Sequence, residues 1–441
     1  MLTPPSHSSS KSSNVQPMKI SGLQSSPLSP YERHLHQSPI KPPSTRRSNP
    51  LPPPNKVMNR LMTRSIHASS KRSMAASTKD TNGFYKKYFE GRSWSPAAEK
   101  IIRATNPRIM DGRWTDYPNP PSQKAFLEWF WAFQARFLRG TRGTYDTSHS
   151  APLDGSDCKR KPDLFLAPSG STKRDGKYNW TDVWVIGELK QSEIQNEYKK
   201  ELLKFCGHAR EVFKSQPTRR ILHGFIIRGS MVELWVFDRS GLYSCEKLDI
   251  HKDPRRFIRV MAGYTMMSDE ELGMNTYIKE DRIGKYIMFK GEDKAKEEKL
   301  YLEGRPIAFQ RAIVCRGTTC YRAKRRDSKR WEFVVKFSWR SDKRRAEGDL
   351  LRLAKERNVW GVAQLFGHQD LDRIDDLRQG MEFGESRTFR LPTGNSFSES
   401  QSRTSDLLSG LGISKNPLSS SSSGQKRKRQ SEKVASGQAK G

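Results

Sequence analysis

The stretch Arg220 to Gly241, RILHGFIIRGSMVELWVFDRSG, holds two apolar runs on either side of Gly229-Ser230. Apolar β-formers flanking a two-residue Gly-X turn predict a β-hairpin. A hairpin this apolar needs further strands and helices to cover it. Two short apolar runs precede it, KPDLFLA from Lys161 and WTDVWVIGEL from Trp180. Polar residues stand at their ends: Asp163 opens the first strand, and Glu188 and Lys190 close the second.

Helical periodicity frames these strands. PPSQKAFLEWFWAFQARFLRG carries Phe126, Phe130, Phe133 and Phe137 at i, i+4, i+7 and i+11, with Ser122 placed to cap and Gly140 and Gly143 to end the helix. Such an aromatic stripe reads as core. IQNEYKKELLKFCGHAREVFKSQ is a second amphipathic helix, with Leu202, Phe205, Ala209 and Phe213 on one face. The order helix, strands, helix, strands predicts an α/β or α+β domain with a mixed sheet over residues 82–250. Residues 251–300 read as helical connector. From 301 to 384 the chain returns to strands: RPIAFQRAIVCRGTTCYRAKRR as strand-turn-strand and WEFVVKFSW as a strand. The helix RRAEGDLLRLAKERN and a further strand, VWGVAQLFGHQD, come next.

Composition sets the limits around this core. The chain has 441 residues, 80 Lys+Arg against 48 Asp+Glu and a formal charge of +32, with only 34% hydrophobic residues. Residues 1–80 and 385–441 are Ser-rich, basic and without apolar periodicity, as expected of disordered tails. The basic surface suits a polyanion, either nucleic acid or an acidic protein. Lys426–Arg429, KRKR, has the form of a nuclear import signal, so a nuclear or cytoplasmic address is expected. The Ser-Pro pairs at Ser26, Ser29 and Ser38 fit a solvated tail or phosphorylation sites. Five scattered cysteines form no CxxC pair, so neither zinc nor a disulfide framework is expected. No apolar run reaches the ~18 residues of a membrane span, and the N-terminus lacks a secretory signal.

Glu188 and Lys190 share a strand face, because side chains alternate with period two. Two carboxylates and a lysine are what a Mg²⁺-dependent phosphodiesterase uses: the carboxylates hold the ion and the lysine steadies developing negative charge. Within Pro162–Lys190 the arrangement resembles the PD-(D/E)xK nuclease superfamily. That resemblance implies catalytic roles for Asp163, Glu188 and Lys190, with Mg²⁺ on Asp163 and Glu188. The competing reading is a capped turn and a surface ion pair. Glu128 is a further candidate ligand, although its place beside the aromatic stripe favours exposure. His208, His223 and His368 are expected to be packed or surface side chains, since none has a His or Cys partner at metal spacing.

A second set lies downstream. Gly317 and Thr318 sit in a turn between strands, Lys336 ends the run Phe333–Val335, and Glu347 stands on the next helix. A small loop, a strand lysine and a helix glutamate are the three parts of a kinase N-lobe: the loop covers the ATP phosphates, the lysine contacts them, and the glutamate positions the lysine by an ion pair. Trp331 and Trp339 flank Lys336 and are expected to pack that sheet. The segments KPDLFLAP, WTDVWVIGELK, FKSQPTRRILHGFIIRGSMVELWVFDRSG, GYTMMSDEELG, CRGTTCYRAKRR, FVVKFSW and EGDLLRLAKE, between about Phe84 and Asp370, resemble the fungal-type protein kinase family. The resemblance implies a PD-(D/E)xK-like accessory domain followed by a partial kinase N-lobe. It also implies ATP with Mg²⁺ as cofactors and Ser/Thr phosphoryl transfer to a protein substrate. Two features depart from the pattern. Cys315 stands where the family has its first loop glycine. No His-Arg-Asp catalytic loop or Asp-Phe-Gly is present, so the sequence is expected to stop inside the kinase fold and to lack kinase activity on its own. The lone N-lobe is expected as five strands and one helix.

Overall fold

The computed structural model describes residues 77–384, apart from 120–121, 149–150, 156–158, 172, 174, 191–197 and 293–295. The Ser-Pro pairs, the Lys426–Arg429 cluster and Cys158 lie outside the described residues.

After a short strand β1 (Ser77–Thr78) come helices α1 (Phe84–Phe89) and α2 (Ser95–Thr105). A small hairpin is next, β2 (Ile109–Met110) and β3 (Arg113–Trp114). Its turn residues Asp111 and Gly112 both have positive φ, 50° and 71°, as a type I′ turn requires. Helix α3 (Gln123–Phe137) is the expected aromatic helix, and the Ser122 hydroxyl accepts the Ala125 N–H at 3.1 Å as its cap. Phe126, Phe130 and Phe133 are buried, Trp129 joins them, and Phe137 is half-buried.

Strands β4 (Gly143–Asp146), β5 (Leu164–Pro168) and β6 (Val185–Lys190) run antiparallel in succession. Helix α4 (Tyr198–Ser215) then crosses over to β7 (Leu222–Arg228), which lies parallel to β6. The hairpin partner β8 (Met231–Asp238) is joined through Gly229-Ser230, and Gly229 has the φ of 58° that such a turn needs. Strands β9 (Gly241–Ser244) and β10 (Leu248–Asp249) both pair with β8, completing one mixed sheet.

The period of two sorts each strand into two cores. Leu164, Leu166, Val185 and Leu189 face α1–α3 and α5 (Pro254–Met266). Phe165, Ala167 and Ile186 face α4, where Leu202, Phe205, Ala209 and Phe213 meet them. Gly187, between the two, has no room for a side chain, because a Cβ there would sit 2.5 Å from the Phe225 ring. One buried cation knits the loops to the sheet. The Arg219 guanidinium donates to the carbonyls of Ile221, Val183, Trp184 and Leu272 at 2.6–3.0 Å.

The expected helical connector over 251–300 is helical only in α5, which belongs to the first core through Phe257, Ile258 and Met261. The same span already supplies strands β11 (Lys279–Glu280), β12 (Lys285–Phe289) and most of β13 (Glu298–Leu302). These runs are short, and they become strands by pairing with one another and, for β13, with a strand further along the chain. With β14 (Ala308–Phe309), β15 (Thr319–Lys324) and β16 (Phe333–Phe337) they form a second sheet of six strands, one more than expected, with helix α6 (Glu347–Glu356). The strand expected over 359–370 does not form. The Phe366 carbonyl accepts the Glu292 N–H at 2.9 Å and the Phe366 ring packs on Phe289 and Phe333, but no ladder follows among the described residues, and Val359, Trp360 and Val362 are exposed. A last helix, α7 (Ile374–Arg378), returns to the first sheet, where Arg378 clasps buried Asp238 with two bonds of 2.7 and 2.9 Å.

Candidate active site

The β5–β6 register pairs Leu164 with Gly187, so one step further sets Asp163 across from Glu188. Glu188 and Lys190 point to the α4 face, as alternation requires. The three expected residues come together. Lys190 Nζ lies 2.9 Å from Glu188 Oε2 and 3.3 Å from Asp163 Oδ2, and donates to the Leu189 carbonyl at 3.1 Å. The Leu189 N–H donates to Asp163 Oδ2 at 3.0 Å, which fixes the carboxylate's position.

Helix α4 adds two groups that the sequence did not single out for this site. Lys204 Nζ reaches Glu188 Oε2 at 2.8 Å and Asp163 Oδ1 at 3.5 Å. His208, one turn on, brings Nε2 within 2.8 Å of Glu188 Oε1 and stacks on Trp180. The approach is close, but its angles miss hydrogen-bond geometry, so Oε1 and both ring nitrogens stay buried without a hydrogen bond among the described residues. His208 is thus packed, as expected, yet packed against the site. The signal available in the sequence was the i, i+4 spacing of Lys204 and His208 beside Phe205. Glu128 is exposed and pairs with Lys124 along α3.

Glu188 is 1% exposed. Burial alone would raise its pKa, but His208, Lys190 and Lys204 outweigh that and hold the carboxyl well below the usual range. Asp163 moves the other way: burial and the neighbouring Glu188 charge raise it, against Lys190, the Leu189 N–H and Lys204. Burial works against the Lys190 ammonium too, yet the two carboxylates raise its pKa.

Three oxygens, from Asp163, Glu188 and the Leu189 carbonyl, therefore surround one cationic nitrogen. Hard oxygen donors of this kind suit Mg²⁺ or Ca²⁺ rather than a soft metal. Among the described residues no group of three or more His, Cys, Asp and Glu side chains is arranged around a metal position, so any ion here rests on two carboxylates and a carbonyl.

The second set is also assembled. Lys336, paired across from Cys320, donates to Glu347 Oε1 at 2.7 Å and also meets Oε2. Both side chains are partly exposed. Gly317 takes φ 54° in the loop between β14 and β15. Its N–H lies 3.3 Å from Cys315 Sγ, and the Thr318 N–H donates to Gln310 Oε1 at 3.2 Å. The loop is anchored in the first domain, with Ile313 fully buried in the α4-side core and Arg239 donating to the Ala312 and Pro217 carbonyls. Trp339 is half-buried beside Gly317, whereas Trp331, expected in the sheet, is exposed under Lys324.

A β-hairpin loop, a strand lysine and a helix glutamate in contact define a kinase-type small lobe. The model of the fungal protein kinase family matches residues 161–438, so the chain belongs to that family, and its function is kinase-like in general terms, with ATP and Mg²⁺ as the family's cofactors. The matched span includes both clusters. No curated protein and no solved structure matches the chain. No helix among the described residues is long and apolar enough to cross a membrane.

A depressed carboxyl stabilises the fold above its unfolded pKa of about 4.3, and that contribution fades as pH falls toward the native value. Wild type is expected to be more stable than Glu188→Gln at pH 5, read by urea unfolding. Below about pH 4.3 the difference should narrow by up to about 1.4 kcal/mol per pH unit. A difference of constant size down to pH 3 would contradict the charge network.

Proposed function

We propose that the cluster at the ends of β5 and β6 hydrolyses phosphodiester bonds with a divalent cation, in the manner of the PD-(D/E)xK nucleases, and that nucleic acid is the substrate class. The observation that carries this reading is the convergence of Asp163, Glu188 and the Leu189 carbonyl on the Lys190 ammonium. The surrounding helix–strand–helix–strand order supports it. Asp163, Glu188 and the Leu189 carbonyl would hold Mg²⁺, which when bound polarises a phosphate and acidifies a water. Glu188 stays ionised because its surroundings favour the charge. Lys190 neutralises charge developing on the phosphate. Exposed Lys159 and Lys161, just before Asp163, add to the field that draws a polyanion in. A nuclear address through Lys426–Arg429 belongs to the same reading.

A second reading concerns the small lobe: Lys336 binds the phosphates of ATP, held in place by Glu347. The contact of these two side chains supports it. The 441 residues contain no His-Arg-Asp and no Asp-Phe-Gly, so this reading assigns nucleotide binding, without phosphotransfer by these residues alone.

Incubation of the purified protein with DNA and with RNA is expected to give cleavage that needs Mg²⁺, stops with EDTA and disappears in Asp163→Asn and Glu188→Ala. Cleavage that survives both substitutions would remove the site. For the small lobe, Lys336→Met is expected to raise the Kd of an ATP analogue about tenfold or more, the size of a lost charge-assisted contact. An unchanged Kd would take Lys336 out of the nucleotide site.

A further inference from the structure

Two ammonium groups share one carboxylate oxygen in this site, and they are not equivalent. Lys190 and Lys204 both contact Glu188 Oε2, at 2.9 and 2.8 Å. Lys190 is held on the strand by both carboxylates and by its neighbour's carbonyl, and its side chain is 20% exposed. Lys204 rises from α4 with a side chain 42% exposed, the more accessible of the two. It has open solvent to move into, and Lys190 has little.

Charge sets how the cluster responds to a metal ion. Two carboxylates face two ammonium groups, so the cluster is balanced as it stands. A divalent ion on Asp163 and Glu188 adds two positive charges within a few ångströms of both lysines. The like-charge repulsion is relieved most easily by release of the ammonium with room to leave.

We propose that Lys204 is an exchangeable cation: it holds Asp163 and Glu188 in the absence of a metal ion and turns outward to a substrate phosphate when a divalent ion takes its place. This rests on the phosphodiesterase reading. Lys204 makes ion and nucleic acid binding mutually favourable, because the ion frees the ammonium that the phosphate needs, and the phosphate charge offsets the ion's excess.

The exchange predicts effects of opposite sign from one substitution. With full-length protein, Ca²⁺ binding is measured by calorimetry, and binding of a DNA duplex in Ca²⁺ by fluorescence anisotropy. Lys204→Met is expected to bind Ca²⁺ about tenfold tighter and DNA about tenfold weaker, within the range usual for coupled sites. Lys204→Arg keeps the charge and is expected to stay near wild type in both. Thermal melting of each variant checks the fold. A Lys204→Met protein that melts normally and shows unchanged affinities, or affinities that shift together, would overturn the exchange and leave the phosphodiesterase reading standing. Wild-type protein that binds no Ca²⁺ would overturn both.

Discussion

A carboxylate that is almost wholly buried needs compensation, and the arrangement around Glu188 depends on how that is met. A buried charge without partners is strongly destabilising, whereas a paired one can be nearly neutral. Glu188 is met by a lysine two residues along its own strand and by a lysine and a histidine on α4. That requirement ties the end of β6 to one face of the crossover helix and brings Asp163 into the same field. The position is a sheet end, where a polar group can be half-enclosed and still be reached from outside. Two carboxylates, two ammonium groups and the His208 ring thus meet at one end of the sheet.

The small lobe is not an independent appendage. Its hairpin loop inserts Ile313 into the α4-side core, and the Arg239 guanidinium donates to the Ala312 carbonyl and lies over the Phe213 ring. The chain then returns through α7, where Arg378 closes on Asp238 and Leu377, Met381 and Phe383 pack against the opposite core. The kinase-type loop and the α/β domain therefore share buried residues.

Much of the α/β domain was legible because its signals are local. The hairpin around Gly229, the aromatic face of α3 and the buried face of α4 come from periodicity and turn chemistry. Asp163, Glu188 and Lys190 were legible from strand alternation, and Lys336 with Glu347 from their place at the ends of a strand and a helix. The features that escaped depend on distant partners. Strands β11 to β13 take their places by pairing with one another and with β15, and the segment 359–370 is apolar enough for a strand but meets the chain beyond β12 through the Glu292 N–H and the Phe366 carbonyl and forms no ladder among the described residues. Lys204 and His208 look like ordinary polar positions on an amphipathic helix until α4 is laid across β6. The burial of Ile313 cannot be inferred from a loop rich in Arg and Cys.

The most direct test of the central claim is a crystal structure of the protein soaked with Mn²⁺, with anomalous differences collected at the manganese edge. The account predicts a peak between the carboxylates of Asp163 and Glu188 and the Leu189 carbonyl, with the Lys204 ammonium withdrawn from Glu188. No peak there, with both lysines still on the carboxylates, would mean that the cluster is a structural ion-pair network and that its chemistry is not that of a phosphodiesterase.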